Sequence, residues 1–263
     1  MTPAKGVAYA VVAVGMLSST PSSATVIFHN TGTASGWSLG LNQEHNGTIT
    51  QVTNVVYAGS TAIKARQIYD PGYTGRYHSE GRQANVYNRG DMGFYGFAFR
   101  LQADWQFQSQ KYVISQFIAD FGNTGCDDYI PTTMVWITGT GLGTRRKYGN
   151  VGTSPNCGTT STTNYNNLAT VSAGVWHRVE MQVNWKSDTT GYMKLWYDGT
   201  KVLEQFNVQT TLADDRQFEM RAGIYASGWY DDGYMMGTQG DRSIWIDQVG
   251  AGTTFAEADP NGW

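Results

Sequence analysis

A row of ionisable side chains lies in the segment Arg76–Arg82. Successive side chains of a β-strand point to opposite faces of a sheet, so a strand here places four ionisable residues on one face: Arg76, His78, Glu80 and Arg82. Such a row could hold an anionic ligand and exchange protons with it. The alternative is the solvated outer face of a sheet.

Polar residues interrupt the apolar segment Tyr112–Phe121. Strand geometry predicts that four side chains share one face: Ile114, Gln116, Ile118 and Asp120. A strand that is apolar on both faces is typically buried, so Gln116 must either hydrogen-bond internally or face a cleft. A structural amide and a functional amide both remain open.

A third segment, Glu219–Trp229, places Arg221, Gly223 and Tyr225 on one face. A glycine between two large polar side chains leaves room for a ligand to approach the backbone. The alternative is a core tyrosine whose hydroxyl is hydrogen-bonded internally.

The elements that must position these residues are predicted to be strands. Short runs rich in Val, Ile, Tyr, Phe and Trp alternate with Gly, Asn and Asp turns, and no 3.6-residue period is sustained. The segment Tyr192–Leu203 indicates a hairpin, because Asp198 and Gly199 suit a tight turn with positive φ angles. Many short strands without helical crossovers predict a single all-β domain, an antiparallel β-sandwich of the jelly-roll type.

The composition excludes several classes of protein. The chain has 263 residues with 18 Lys plus Arg against 21 Asp plus Glu, so it lacks the basic surplus with which nucleic-acid binders neutralise phosphates. With 40% hydrophobic and 13% aromatic residues it is not disordered. We expect no nucleic-acid partner, no membrane partner and a monomer.

The N-terminus has the pattern of a secretory signal peptide. Lys5 precedes an apolar run from Val7 to Leu17, and small and polar residues follow as far as Ala24. The run is shorter than the roughly 20 residues that a transmembrane helix needs. We therefore predict a signal peptide over residues 1–24, a catalytic domain over residues 25–263, and a secreted, extracellular protein.

Secretion affects how three further residues are interpreted. An oxidising compartment favours a disulfide between Cys126 and Cys157. Asn46 begins the glycosylation sequon Asn46-Gly47-Thr48, although the sequence does not say whether it is occupied.

The three polar segments together resemble the signature strands of the jelly-roll polysaccharide lyases. The residues that carry the resemblance are His78 to Arg82, Ile114 to Ile118, and Arg221 to Tyr225, in that chain order. Among these families the sequence is most similar to the fungal glucuronan lyases, polysaccharide lyase family twenty. The resemblance implies a lyase that cleaves β-1,4-linked glucuronic acid polymers.

Three positions depart from the related alginate lyases. Those enzymes carry Arg-x-Glu-x-Arg, Gln-Ile-His and Lys-Ala-Gly-x-Tyr strands. Here His78 replaces the first arginine, Ile118 the histidine, and Arg221 the lysine. The departures favour glucuronan over alginate, which stays the alternative substrate.

The implied reaction is a β-elimination, which removes the proton on C5 of a uronate and expels O4. Stabilisation of the C6 carboxyl is required as charge develops in the transition state, and the amide of Gln116 can donate hydrogen bonds to it. We assign Tyr225 as the group that removes the C5 proton and protonates O4, with its pKa lowered by a nearby cation such as Arg221 or protonated His78. His78 neutralises charge or acts as the base instead, and the sequence leaves these two roles exchangeable.

Substrate binding requires cations that pair with uronate carboxylates. Arg146 lies in the basic run Arg145–Tyr148, whose alternative interpretation is a solvated loop. The predicted substrate-binding residues are Arg76, Arg82, Glu80, Arg221, Arg66, Lys111 and Arg146.

No cofactor is expected for catalysis. Jelly rolls of the resembled kind often hold a structural calcium ion, and the buried-looking carboxylate of Asp247 is the candidate ligand. Its alternative is an ordinary hydrogen-bonded carboxylate. The acidic pairs Asp127-Asp128 and Asp231-Asp232 are interpreted as loop residues.

Two other classes fit parts of this pattern. A glycoside hydrolase needs two carboxylates flanking the scissile bond, and the sequence shows no Glu-x-Asp-x-x-Glu motif. A noncatalytic carbohydrate-binding domain would suit the fold and the aromatic content, but it would leave the grouping of His78, Gln116 and Tyr225 unexplained.

Overall fold

The computed structural model describes Met1 and residues 24–262. The signal peptide predicted over residues 1–24 lies outside the described residues, apart from its first and last positions. In the described part of the chain, no helix combines the length and the apolar character needed to cross a membrane.

Strands make up most of the described chain. Besides a 3-10 turn at Gly122–Thr124, the only helix among the described residues is α1, Ser227–Asp232. The strands are β1 Val26–Asn30, β2 Leu41–Gln43, β3 Thr48–Val52, β4 Ala62–Ile68, β5 His78–Tyr87, β6 Met92–Leu101, β7 Tyr112–Asp120, β8 Tyr129–Thr138, β9 Gly141–Gly149, β10 Gly152–Thr153, β11 Asn156–Cys157, β12 Thr160–Thr170, β13 Trp176–Asn184, β14 Gly191–Tyr197, β15 Thr200–Val208, β16 Phe218–Tyr225 and β17 Asp241–Gly252.

Two antiparallel sheets pack against each other as a jelly-roll β-sandwich. One sheet has the order β15-β14-β13-β6-β17-β4-β3, with β1 also paired to β17, and we call it the back sheet. The other has the order β12-β9-β8-β7-β16-β5-β2, and we call it the cleft sheet. The prediction of an antiparallel all-β jelly roll is confirmed.

Apolar side chains from the two sheets meet in the core between them. Phe97 and Phe99 of β6 and Phe117 of β7 are among its buried members, together with Trp185, whose indole donates a hydrogen bond to the hydroxyl of Tyr95 at 2.8 Å. Strand β14 shows strict alternation of buried and partly exposed residues, as a sheet with one solvated face requires.

The predicted hairpin is present. Strands β14 and β15 pair with Tyr197 opposite Thr200, and Asp198 and Gly199 both have positive φ, of 49° and 79°. The Asp-Gly signal therefore located this turn correctly.

The predicted disulfide is also present. Cys126 and Cys157 are bonded, with 5.6 Å between their Cα atoms. Asn46 is exposed in the turn between β2 and β3, and its glycosylation stays a prediction.

Candidate active site

The three polar segments of the sequence form adjacent strands of the cleft sheet. Strand β16 lies between β5 and β7, and its register places Tyr225 opposite His78 and Arg221 opposite both Arg82 and Gln116. Residues that are far apart in the chain therefore share one face of the sheet. The predicted row of β5 side chains holds from His78 to Arg82, and Arg76 lies just before the strand begins.

These side chains line a cleft of about 370 Å³. Its walls combine charged groups with aromatic and apolar ones: Asn42, Glu44, Arg76, His78, Arg82, Gln116, Ile118, Tyr129, Pro131, Met134, Arg221, Tyr225, Tyr230 and Asp231. A cleft in which several polar groups converge among apolar and aromatic side chains is the arrangement expected of a ligand site.

His78 and Tyr225 are stacked on each other in this cleft. Their ring centroids are 3.9 Å apart with an interplanar angle of 25°. Both side chains are buried, at 5% and 7% exposure. One part of a ligand can therefore contact the imidazole and the phenol at the same time.

The imidazole of His78 is oriented by Glu44, a residue from the loop after β2. The Nδ1 atom lies 2.7 Å from Oε2 of Glu44. Burial raises the pKa of Glu44, but hydrogen bonding and charge interaction with His78 together outweigh it and lower the pKa below its usual value. An ionised carboxylate only accepts, so Nδ1 donates the hydrogen bond.

The direction of the Tyr225 pKa contradicts the sequence prediction. Burial is the largest cause and raises the pKa of Tyr225 well above 10, and the negative charge of Asp231 adds to it. Arg76 opposes the change without reversing it. The predicted lowering of the Tyr225 pKa is therefore wrong. Arg221, one of the cations proposed to cause it, is instead held by Glu219 through its Nε, at 2.8 Å, and its Nη2.

Gln116 is fixed by a buried carboxylate. Its Nε2 atom lies 2.9 Å from each carboxylate oxygen of Glu80. Since Nε2 carries two hydrogens, a bond to Glu80 leaves one for a ligand. The prediction that Glu80 binds substrate is corrected, because its side chain is fully buried and orients Gln116 instead.

The surroundings of Glu80 set its protonation. Burial raises the pKa of Glu80, while His78, when it is protonated, and the positive charge of Arg221 oppose that rise. Glu80 Oε2 lies 3.9 Å from His78 Nε2 and 3.9 Å from Arg221 Nη1. It therefore connects the imidazole, the amide and the guanidinium of the cleft floor.

Two predicted binding arginines share one acid. Arg82 lies 3.1 Å from Glu219, and Arg221 is paired with the same carboxylate. The side chain of Arg82 is 24% exposed and that of Arg221 only 5%. Arg82 is therefore the cation of this pair that a polymer can reach.

Arg76 lies at the mouth of the cleft. Its guanidinium is 3.0 Å from Asp128 and 5.6 Å from the ring centroid of Tyr230. The structure thus brings Arg76, Arg82 and Arg221 together as predicted, although each is already paired with a carboxylate.

Two predicted binding cations point elsewhere. Arg66 lies on the back sheet, where it forms a bidentate pair with Asp241. Arg146 donates to the hydroxyl of Tyr165 and to the carbonyl of Gln209, both at 3.0 Å. Neither lines the cleft, so both placements are corrected.

The neighbour of Arg146 is the one near the cleft. Arg145 donates to the carbonyl of Pro131 at 2.7 Å, and burial lowers the pKa of Arg145 to about 10 against the opposing charge of Asp231. One position along a strand reverses the face, so Arg145, and not Arg146, is the member of the basic run that points toward the cleft.

Lys111 lies behind the cleft wall. Its ammonium is 4.8 Å from the ring centroid of Trp136, which packs in a cluster with Val113, Met134 and Tyr225. Burial lowers the pKa of Lys111. The lysine supports the wall next to Tyr225 and is not one of the cleft-lining residues.

Gly223 serves the sheet and not a ligand. It lies opposite Glu80, and a Cβ at this position would be 2.1 Å from the carbonyl oxygen of Ser79. The prediction that it makes room for a ligand is therefore corrected to close approach between β16 and β5.

Irregular pairing changes the faces of β7. Its pairing with β8 shifts register between Val113 and Ser115, so Val113 packs beside Tyr225 while Ile114 joins the core. Gln116 and Ile118 still face the cleft. The predicted grouping of Ile114 with Gln116 is wrong for this reason.

Sequence reasoning missed several cleft residues. Glu44 and Tyr129 carry no local pattern, and Tyr230 and Asp231 come from α1. Asp231 was interpreted as a loop acid, yet burial raises its pKa inside the cleft. Its position directly after the Tyr225 strand was the only signal.

Asp247 is a buried carboxylate on β17. Its oxygens accept hydrogen bonds from the backbone N–H groups of Tyr57, Ala58 and Gln248 at 2.8 to 3.2 Å. The amide of Gln248 also donates to Asp247 at 3.1 Å. Among the described residues no group of three or more His, Cys, Asp or Glu side chains is arranged to hold a metal.

The fold and the cleft define a polysaccharide lyase: residues 29–250 match the family model described as polysaccharide lyase, and the chain belongs to that family. The solved endo-β-1,4-glucuronan lyase from the fungus Trichoderma reesei is similar to this chain, with 51% identity over 91% of this chain and 100% of that one, at a TM-score of 0.88.

More distant structures also match. The cellulose-induced protein Cip1 shares 15% identity over 81% of this chain and 88% of its own, with a TM-score of 0.49. The alginate lyase Aly36B shares 12% identity over 86% and 93%, with a TM-score of 0.44. No curated protein sequence matches the chain.

Proposed function

We propose that the chain cleaves β-1,4-linked glucuronan by β-elimination. The observation that carries the proposal is the stacking of His78 on Tyr225 beside the amide of Gln116, in one cleft. The 51% identity with a glucuronan lyase supports the choice of polymer.

The pKa directions favour a division of labour between the stacked rings. The Nδ1–H of His78 is donated to Glu44, which leaves Nε2 as the atom that takes the C5 proton. Burial keeps the phenol of Tyr225 protonated, so it is the group that gives a proton to O4. We therefore assign His78 as base and Tyr225 as acid, reversing the principal assignment made from the sequence.

The elimination balances with these two groups. The C5 proton moves to His78, the electron pair forms the C4–C5 double bond, the C4–O4 bond breaks, and O4 takes the proton of Tyr225. In a β-1,4-linked glucuronate the C5 proton and O4 lie on the same side, so stacked rings suit the reaction. Proton transfer from His78 back to Tyr225 restores the enzyme.

The C6 carboxyl of the reacting sugar needs donors as negative charge develops on it. The second N–H of Gln116 and the guanidinium of Arg82 are the groups we assign to it. We assign Arg76, which lies at the cleft mouth, to the carboxylate of a neighbouring sugar in the same polysaccharide.

The test is incubation of the purified protein with β-1,4-glucuronan, alginate and heparin-type polymers. We expect ultraviolet-absorbing unsaturated ends with glucuronan. Such ends with alginate alone would replace the substrate, and no new ends with any polymer would leave a noncatalytic binding domain as the interpretation.

A pair of matched variants tests the site. Tyr225→Phe should retain polymer binding and lose nearly all turnover, since only the hydroxyl is removed. Tyr165→Phe removes a hydroxyl that contacts Arg146 and does not line the cleft, and it should retain turnover. Equal activity of the two variants would contradict the assignment of Tyr225.

We also propose secretion with removal of the leader after Ala24. The Cys126–Cys157 disulfide supports an oxidising destination. The N-terminal sequence of protein recovered from culture medium should begin at Thr25, and retention of the full chain inside cells would contradict the proposal.

A structural calcium ion at Asp247 is a further proposal. Asp247 is fully buried, and Oε1 of the neighbouring Gln248 is buried without a hydrogen-bond partner among the described residues. Carboxylate and amide oxygens suit Ca²⁺. Chelation should lower the melting temperature of the wild type but not of Asp247→Asn; an unchanged wild-type melting temperature would contradict the site.

A further inference from the structure

The back sheet carries a row of alternating cations and indoles across four strands. Direct pairing aligns Lys64 of β4 with Trp245 of β17, Trp245 with Arg100 of β6, and Arg100 with Trp176 of β13. Residues directly opposite each other in a sheet share a face. We call this set of four side chains the outer row.

The outer row faces away from the core. Its sequence neighbours Ile63, Ile246 and Phe99 are buried in the core, whereas all four members of the row are partly exposed. The catalytic cleft lies on the other sheet, so the two surfaces are on opposite sides of the sandwich.

The cations of the outer row are not neutralised by direct partners. Within residues 24–262, neither Lys64 nor Arg100 forms an ion pair, whereas nearby Arg66 is paired with Asp241. The ammonium of Lys64 lies 5.3 Å from the ring centroid of Trp245. The positive charges of Lys64 and Arg100 are therefore free to attract an anion.

The row also lacks hydrogen-bond acceptors. The indole Nε1 atoms of Trp245 and Trp176 and the Nε atom of Arg100 are covered and have no partner in the described part of the chain. An oxygen-rich ligand that displaces the flexible ends of Lys64 and Arg100 would supply acceptors to these groups.

A groove of about 740 Å³ adjoins Lys64 and Trp245. Two carboxylates line it, Asp104 and Asp241, and Asp241 is paired with Arg66 and also attracts Lys64 at longer range. Together with Arg100, which lies beside the groove, this surface has the three cations Lys64, Arg66 and Arg100 against two acids. It therefore has an excess of positive charge.

We propose that the outer row is a second, noncatalytic binding site for an anionic β-1,4-linked polysaccharide. Trp245 and Trp176 are two strand spacings apart, about 10 Å, which is close to the length of two sugar units in such a chain. Pyranose faces stack on the two indoles, and the carboxylates of the chain meet Lys64 and Arg100. The choice of glucuronan as its ligand rests on the proposed function.

The site would hold polymer near the enzyme without cleaving it. The outer row and the cleft belong to one protein. Once a polymer is bound at one of them, its effective concentration at the other is raised. Short oligosaccharides cannot reach both sheets, so only long chains benefit.

The experiment is affinity electrophoresis through gels that contain glucuronan, with Tyr225→Phe in every protein so that the gel polymer is not degraded. The double variant Lys64→Gln/Arg100→Gln is compared with Lys201→Gln, which removes an exposed cation of the same sheet. We expect the double variant to be retarded at least about fivefold less, and the control to be unchanged. The single variant Lys64→Gln, which changes only a surface side chain, covers the case in which the double variant does not fold.

Four outcomes decide the proposal. Unchanged retardation of the double variant, or equal retardation of the parent protein by a neutral cellulose derivative, overturns it. In proteins that retain Tyr225, the double variant should cleave short glucuronan oligosaccharides as the wild type does; a parallel loss there would place the effect in the cleft and overturn the second site. If no polymer is cleaved but glucuronan retardation depends on Lys64 and Arg100, the proposed activity fails and the binding site stands.

Discussion

The carboxylate of Glu44 lies 2.7 Å from Nδ1 of His78 and so fixes both the tautomer and the direction of the imidazole. Glu44 directly follows β2, the edge strand that pairs with the strand of His78. An acid that orients a histidine in this way is a positioning residue, and its removal leaves the ligand contacts of the cleft in place.

Glu44→Gln should lower kcat at least about tenfold with little change in KM, because an amide can present its NH₂ group to Nδ1 and favour the wrong tautomer. Initial rates on glucuronan across substrate concentrations provide the measurement. His45→Asn, which changes the next residue of the same loop, a side chain that pairs with Asp70 and does not line the cleft, is the control for a general disturbance of the loop. A rise in KM at constant kcat would show that Glu44 contacts substrate instead.

Gly223→Ala should abolish activity through the backbone. The added Cβ would meet the carbonyl oxygen of Ser79 at 2.1 Å, so β16 must move relative to β5 and Tyr225 must move relative to His78. Gly139→Ala meets no atom within 4 Å and has only the cost of its φ of 56°, about 1–2 kcal/mol. Turnover and melting temperature of both variants decide the prediction, which fails if Gly223→Ala is as active as Gly139→Ala.

Glu180 makes stability fall as the pH rises. Burial raises the pKa of this carboxyl to about 7 despite Arg178 at 3.5 Å, and neither carboxyl oxygen has a hydrogen-bond partner among the described residues. The folded protein therefore keeps a proton that the unfolded chain loses near pH 4.3. Stability is greatest below the unfolded value and declines as pH rises through the folded one, by up to about 3 kcal/mol.

Glu180→Gln removes that titration. Its melting temperature should exceed that of the wild type at about pH 8, and the advantage should shrink toward about pH 5. The exposed Glu204→Gln is the control for loss of an acid on the same sheet. An advantage of Glu180→Gln that does not vary with pH would contradict the assigned titration.

Replacement of both cysteines by serine should destabilise the fold. The bond between Cys126 and Cys157 closes a loop with a sequence separation of 31, for which the lost constraint on the unfolded chain is about 3–4 kcal/mol. Chemical denaturation of the double variant measures it, and reduced wild type should behave alike. A difference below about 1 kcal/mol would mean that the loop is ordered without the bond.

The sequence predicted the fold and the face shared by His78 and Arg82 because both depend on short-range patterns. Alternation placed His78 with Arg82, and the Asp-Gly pair located the turn after β14. Each pattern needs only a few consecutive residues, so it survives without knowledge of the tertiary structure.

Failures arose where a side chain is governed by distant atoms. The pKa of Tyr225 depends on burial and on Asp231, and the role of Glu80 depends on its complete enclosure. The choice of Arg146 over Arg145 failed because nothing in a run of cations indicates which one faces inward. Sequence patterns give the direction of a side chain relative to its neighbours but not the solvent it meets.

The irregular pairing within β7 limits how this enzyme can be redesigned. Partway along β7 the side chains that face the cleft change over. Deleting or inserting one residue there would therefore turn the Gln116 amide into the apolar core between the sheets. Substrate preference is therefore open to exchange of side chains at fixed length, with Ile118 as the natural first position, and closed to changes in strand length.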